Sequence, residues 1–234
     1  MPSPATSPDT SPELTRSEPD GASRGVVLML HGGAKAGLDP VARRSGSLWR
    51  TTRMRNAIAP GLHRAGLSVW LLRFGVRGWN LGIGPEPSPV PDARWALGEI
   101  TREHPGLPIV LLGHSMGART AVHAADHPGV AGVVALAPWF ERRDPVDALA
   151  GRHLRAGHGS RDRITSARMT NAYVERARAV AASAEFENLG PLGHYMLTHQ
   201  SRWNRFAVRS TLEVLDRADT AGRTGDLPES RSAG

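Results

Sequence analysis

The chain has no cysteine among its 234 residues. That absence excludes a disulfide framework, thiol catalysis and every thiolate metal site. Lysine is almost missing as well, since the 29 cations comprise 28 arginines and Lys35 alone. Long apolar runs are lacking, and nowhere do hydrophobic residues approach the roughly 18 in succession that a membrane-spanning helix needs. The opening Met1-Pro-Ser-Pro-Ala-Thr-Ser-Pro has neither a basic start nor an apolar centre, so no secretory leader is expected there. A cytoplasmic location with no membrane partner is the resulting expectation.

What is present is a net charge of +7, a balance that invites a nucleic-acid reading because clustered cations displace phosphate counterions. The cations are scattered from Arg16 to Arg231, and the excess of arginine over lysine reads as the codon usage of a GC-rich genome. The densest run, Arg50, Arg53 and Arg55, falls on the solvated face of an expected helix. No nucleic-acid partner is therefore expected. Hydrophobic residues at 40% and charged ones at 22% suit one soluble domain with a substantial core.

The two ends differ from the middle. Residues 1–24 carry Pro2, Pro4, Pro8, Pro12 and Pro19 among Ser, Thr, Asp and Glu. So little apolar surface does not offset the entropy of ordering, and a disordered tail is expected there and again over 218–234. The ordered domain is expected over 25–217. Within it, short apolar runs alternate with helical patterns, the arrangement of a mostly parallel sheet covered on both faces. Strands are expected at Val26–Leu30, Ser68–Phe74, Pro108–Leu112, Val130–Ala137, His153–Ala156 and Phe186–Leu189. Helices are expected near Leu48–Arg64, Ala93–Glu103, Ser115–Asp126, 166–182 and Ser201–Leu215. Parallel strands place reactive groups beyond their carboxyl ends.

One segment carries chemistry. The run Ile109-Val-Leu-Leu-Gly113-His114-Ser115-Met116-Gly117 reads as strand, tight turn and helix. A serine pushed up on such a turn leaves no room for Cβ atoms two residues before and after it, which is the work of Gly113 and Gly117. Ser115 is thus the expected nucleophile, with His114 a structural residue of the turn. A hydroxyl needs a base, and the base an orienting acid. His194, in the loop Gly190-Pro-Leu-Gly-His-Tyr-Met after the last expected strand, is the expected base. His123 and His127 ride the helix behind the nucleophile. Asp162, in His158-Gly-Ser-Arg-Asp162-Arg-Ile-Thr165, is the expected acid, with Asp144 and Asp147 as runner-up carboxylates. Arg161 and Arg163 should help keep Asp162 ionised. The oxyanion is assigned to the N–H groups of Met116 and, in the loop His31-Gly32-Gly33-Ala34, of Gly33.

Taken in chain order, Leu30-His-Gly-Gly33, Gly113-His-Ser-Met-Gly117, His158-Gly-Ser-Arg-Asp162 and Gly193-His194-Tyr-Met make the chain resemble the α/β-hydrolase family. Small lidless hydrolases of the dienelactone-hydrolase and carboxylesterase kind are the nearest match, over roughly 25–217. The resemblance implies a three-layer α/β fold with about six strands, since the family's first two strands are not found before Val26. The short segment Pro138–Arg152 leaves no room for a large cap domain. It also implies a Ser-Asp-His triad that cleaves a small-molecule carboxylic ester through an acyl-enzyme, without cofactor or metal. Dienelactone hydrolases themselves use a cysteine, so the serine points to ester chemistry. Trp79, Trp139 and Phe140, in loops at strand ends, are expected to wall the substrate site. An acyltransferase, thioesterase or peptidase with the same triad, or a non-catalytic binding module, are the alternatives.

Overall fold

The computed structural model describes residues 10–225; the outermost parts of both expected tails, 1–9 and 226–234, lie outside the described residues. Six strands run parallel: β2 (Gly25–Leu30), β3 (Leu67–Arg73), β4 (Ile109–His114), β5 (Val130–Leu136), β6 (His153–His158) and β7 (Ser183–Asn188). A short strand, β1 (Glu13–Thr15), adds antiparallel to β3 at one edge, giving the order β1-β3-β2-β4-β5-β6-β7. β2 and β4 are buried along their whole length, as unbroken apolar runs in a doubly covered sheet should be.

Five helices cover the faces: α1 (Gly46–Arg64), α2 (Pro89–Glu103), α3 (Met116–His123), α4 (Ala167–Ala177) and α5 (Gln200–Gly225). α1 packs with α5, and α2 packs with α3. Serine hydroxyls cap two of them, Ser45 accepting from the Leu48 N–H and Ser166 from the Met169 N–H, both at 3.3 Å. The chain leaves β2 toward β3 and then returns past it to β4, so the strand order reverses between β2 and β4. A crevice at the carboxyl ends of those two strands follows from that topology alone.

Two boundaries differ from the sequence expectation. Residues 10–24 are not a loose tail. β1 pairs with β3, the Glu18 carboxylate accepts from Trp70 Nε1 at 2.6 Å and from the Ser68 hydroxyl, and the Arg16 guanidinium lies 4.4 Å over the Trp70 ring. A segment poor in apolar residues is ordered here because it satisfies polar groups of a buried strand. At the other end, α5 continues past Arg217 to Gly225. The polar look of β6 also has its reason: Arg155, in register with Glu185 of the edge strand β7, pairs with Glu185, and at 3.1 Å with Glu213 of α5. Charged pairs of this kind blunt a sheet edge against pairing with another chain.

Candidate active site

β4 delivers Ser115 to the crevice. Its backbone is held at φ 53°, ψ −115°, a left-handed value that a non-glycine residue adopts only under constraint. The constraint is the crossing of chain on either side. A Cβ on Gly113 would lie 2.5 Å from the Ala118 main chain, and one on Gly117 would lie 2.2 Å from the Leu30 carbonyl oxygen. The turn therefore closes only with glycine at both places, and it lifts the Ser115 side chain above the sheet edge.

Two loops bring partners to it. His194 follows β7, and its Nε2 lies 3.0 Å from Ser115 Oγ. Its Nδ1–H donates to Asp162 Oδ2 at 2.8 Å from the loop after β6. The two loops are stitched together by main-chain bonds, Ser160 N–H to Gly190 O at 2.8 Å and Arg161 N–H to Leu192 O at 3.1 Å. His194 and Ser115 are both largely buried, with 6% and 8% of their surfaces exposed. The three side chains expected from the sequence are thus joined in one hydrogen-bonded line, serine to histidine to aspartate.

Asp162 is held on all sides. Oδ1 accepts the Ile164 and Thr165 N–H groups at 2.8 and 2.9 Å, and Oδ2 accepts from Thr165 Oγ1 at 3.0 Å and from His158 Nε2 at 3.1 Å besides His194. Burial alone would raise its pKa. The hydrogen bonds from His158, His194, Thr165 and Ile164 outweigh that and hold it well below the usual carboxylate range. The carboxylate is therefore a fixed anion facing the outer nitrogen of His194. The expected help from Arg161 and Arg163 is replaced by these direct bonds.

The loop after β2 supplies the remaining polar groups. His31 is completely buried and kept neutral, its pKa pushed down to about 4 by burial despite its bond to Gly32. Its Nε2 accepts the Phe74 N–H at 3.2 Å, so Nδ1 carries the proton and donates to the Gly32 carbonyl at 2.6 Å. A trans peptide points its N–H opposite to its carbonyl. With the Gly32 carbonyl tied to His31, the Gly33 N–H is aimed the other way, while the Ala34 N–H is taken by the Arg77 carbonyl at 2.8 Å. Gly33 itself is exposed, and a Cβ there would collide with the Met116 side chain at 2.4 Å. Met116 begins α3, where the N–H has no acceptor within its own helix. The two N–H groups assigned to the oxyanion thus belong to adjoining residues beside Ser115.

Beside this loop opens a cavity of about 300 Å³, lined by Gly32, Gly33, Val41, Ala42, Ser45 and Arg77 among others. Its single carboxylate, Asp39, is tied to Arg77 at 3.3 Å.

Comparison with known proteins bears on the fold. The family model of serine aminopeptidase, S33, matches residues 87–156, a stretch that includes Ser115 and ends before Asp162 and His194. Among solved structures, Est1E from Butyrivibrio proteoclasticus, with ferulic acid bound, superposes with a TM-score of 0.64 at 10% identity, covering 88% of this chain and 96% of that one. A monoacylglycerol lipase from Paleococcus ferrophilus gives a TM-score of 0.61 at 15% identity, covering 86% of this chain and 99% of that one. A lidless α/β serine hydrolase from Xanthomonas campestris gives 0.59 at 15% identity, covering 85% and 88%. No curated protein matches the sequence. The chain has the α/β-hydrolase fold.

In this hydrolase fold the segment from β5 to β6 is only a loop and one 3-10 turn (Asp147–Leu149), so no large cap covers the site. The expected aromatic walls fare differently. Trp79 is buried, with the Arg119 guanidinium 4.3 Å over its ring and His123 edge-on at 5.1 Å. Phe140 is buried and stacked on Tyr173 at 4.1 Å. Both are core residues, not walls, because their rings are buried against Arg119 and Tyr173. Trp139 is half-buried, its main-chain N–H given to the Ser115 carbonyl at 3.2 Å and its ring 4.5 Å from the Arg119 guanidinium. Of the runner-up acids, Asp144 is bound to buried Arg119 at 2.6 Å and Asp147 opens the 3-10 turn, so neither joins the line.

Sequence reasoning passed over three residues of this candidate site. His158 and Thr165 both bind Asp162, and His31 fixes the Gly32 carbonyl. The available signal was position: each lies at or just past the carboxyl end of a strand. His114, expected to be structural, donates through Nε2 to the His194 carbonyl at 3.0 Å and so holds the base's own backbone.

Proposed function

We propose that the protein is a serine hydrolase that cleaves a carboxylic ester of a small molecule. The observation that carries this reading is the unbroken hydrogen-bonded line Ser115–His194–Asp162, set beside two adjoining main-chain N–H groups. In the proposed reaction His194 Nε2 takes the Ser115 proton as Oγ attacks the ester carbonyl. The negative oxygen that forms is held by the Gly33 and Met116 N–H groups, where losing one such donor costs about 3–4 kcal/mol in known enzymes. Asp162 stabilises the imidazolium without taking its proton. Collapse expels the alcohol with the proton from His194 and leaves the acyl group on Ser115. Water then attacks with His194 again as base, releasing the acid and restoring the serine. The uncapped site admits that water, which favours hydrolysis over acyl transfer.

A second reading, hydrolysis of an amide at a peptide amino terminus, is favoured by the family model that matches residues 87–156. Against it stands the cavity beside Gly33, whose one carboxylate, exposed Asp39, already has Arg77 as a partner. A panel of aryl esters of rising chain length, acyl thioesters and aminoacyl amides separates these readings. Turnover of the esters, with fluorophosphonate labelling lost in Ser115→Ala, is the expected result. Turnover confined to the aminoacyl amides would overturn the ester assignment, and equal labelling of Ser115→Ala would overturn the nucleophile.

A further inference from the structure

Eight large hydrophobic side chains stand exposed among the described residues, and seven of them lie at one edge of the sheet. Leu38 is in the loop after β2, Leu81 and Ile83 in the loop after β3, Ile164 in the loop after β6, and Tyr195 and Leu197 in the loop after β7. Trp49 is in the first turn of α1, which starts at the same edge, and it shares a crevice with Leu197. Only Trp95, on α2, lies elsewhere. Single exposed apolar residues are ordinary on any soluble surface and need no account. Their collection on the one edge that also opens onto Ser115 does.

Charge is divided in the same way. Lys35, Arg44, Arg142, Arg143, Arg161 and Arg163 are exposed in these loops without a carboxylate partner among the described residues. The carboxylates of the same loops, exposed Asp147 of the 3-10 turn apart, are engaged: Asp39 by Arg77, Glu86 by Arg94, Glu141 and Asp144 by Arg119, and Asp162 by His158 and His194. The edge therefore combines protruding aliphatic and aromatic groups with an uncompensated positive field. The tip Leu81-Gly-Ile-Gly84 is exposed throughout, Leu81 being 72% exposed.

We infer that this edge is a peripheral docking surface for an anionic lipid bilayer, with the apolar tips entering the interface and the free arginines meeting the headgroups. No spanning segment is needed for this mode, which depends on apolar contact plus attraction between cations and acidic lipid. The missing long apolar run excluded insertion across a membrane, not adsorption to one. A folded protein partner would call for one contiguous complementary patch, whereas tips on separate loops from β3 across to β7 suit a deformable plane. A nucleic acid would leave Leu81, Ile83 and Leu38 without a role. Docked this way, Ser115 would open toward the lipid, where an ester with a long acyl chain resides.

The test is sedimentation of Ser115→Ala protein with large unilamellar vesicles, so that binding is read without any reaction. Vesicles holding about 30 mol% phosphatidylglycerol in phosphatidylcholine should bind it about tenfold more tightly than phosphatidylcholine alone, and about 0.5 M NaCl should remove most of that difference. Leu81→Ser with Ile83→Ser, and separately Arg142→Glu with Arg143→Glu, should each weaken binding several-fold. Both pairs should leave the melting temperature and the turnover of a soluble short-chain ester unchanged. Absence of binding to the acidic vesicles, or binding that neither pair of substitutions alters, overturns the inference. Because no turnover is read in the vesicle arm, its failure is separate from any failure of the ester assignment.

Discussion

His158 and His194 donate to the same oxygen, Oδ2 of Asp162, at 3.1 and 2.8 Å. One histidine touches the nucleophile, and the other is completely buried behind the acid, its Nδ1 on Thr170 Oγ1 at 2.8 Å. His158 thus fixes the carboxylate that fixes the base. It acts through Asp162 and never reaches the reacting atoms.

Removing that second donor should loosen the acid without touching the substrate. A hydrogen bond to a charged group contributes about 1.5–3 kcal/mol, so His158→Leu should lower kcat for an ester by about tenfold to a hundredfold. KM should hardly move, and His158→Gln, which keeps an N–H donor, should recover most of the loss. An unchanged kcat in the leucine variant would remove His158 from this role.

Two aspartates near the site are expected to differ in kind. Asp162→Asn should cut kcat by roughly 10⁴, the size of effect seen when a triad acid is made an amide. Asp144→Asn should instead leave activity within about tenfold and cost about 3 kcal/mol of stability, because it strips the buried Arg119 of its main partner. Steady-state kinetics with urea unfolding of both variants reads the contrast. The reverse pattern would make Asp144 the acid.

Acid should unfold this protein through its histidines. Burial pushes His31 down to about 4 and His114 down to about 3, whereas an unfolded histidine titrates near 6.5. Between those values the unfolded chain takes up protons that the folded chain refuses, so stability is complete above about pH 6.5 and falls as the pH drops toward 4. The loss is on the order of 3 kcal/mol from His31 alone. Asp162, held below the ordinary carboxylate range, adds to it once the pH falls below about 4. The urea midpoint should decline across this window and decline less in His31→Asn; a midpoint constant from about pH 7 to 4.5 would falsify the assignment.

Glu18 tests the ordering of the first segment. It is the acceptor for the indole N–H of Trp70, a side chain with no exposed surface. Glu18→Ala should cost about 1–3 kcal/mol, the desolvation cost of a buried donor left unpaired, and lower the melting temperature by a few degrees. Ester turnover at low temperature should be unchanged. A melting temperature equal to that of the parent would mean that residues 10–24 contribute nothing to the domain.

Much of this molecule was legible in one dimension. Val26–Leu30 and Ile109–Leu112 are buried strands because unbroken apolar runs bounded by polar loops have nowhere else to go. Gly113 and Gly117 mark the turn because no other residue leaves room for the crossing chain, so Ser115 followed from sterics. His194 followed from its place after the last strand. What sequence could not carry were choices between partners distant along the chain. Trp79 and Phe140 looked like site walls until Arg119 and Tyr173 were found against them, and residues 10–24 looked loose until Trp70 supplied a donor for Glu18. His158 and His31 were plain histidines until folding placed one behind Asp162 and the other under the Gly32 carbonyl. Local propensity and sterics act between neighbours and are written in order along the chain. Hydrogen bonds across 32 residues, as between His194 and Asp162, or 79, as between His194 and Ser115, exist only once the sheet has set the loops side by side.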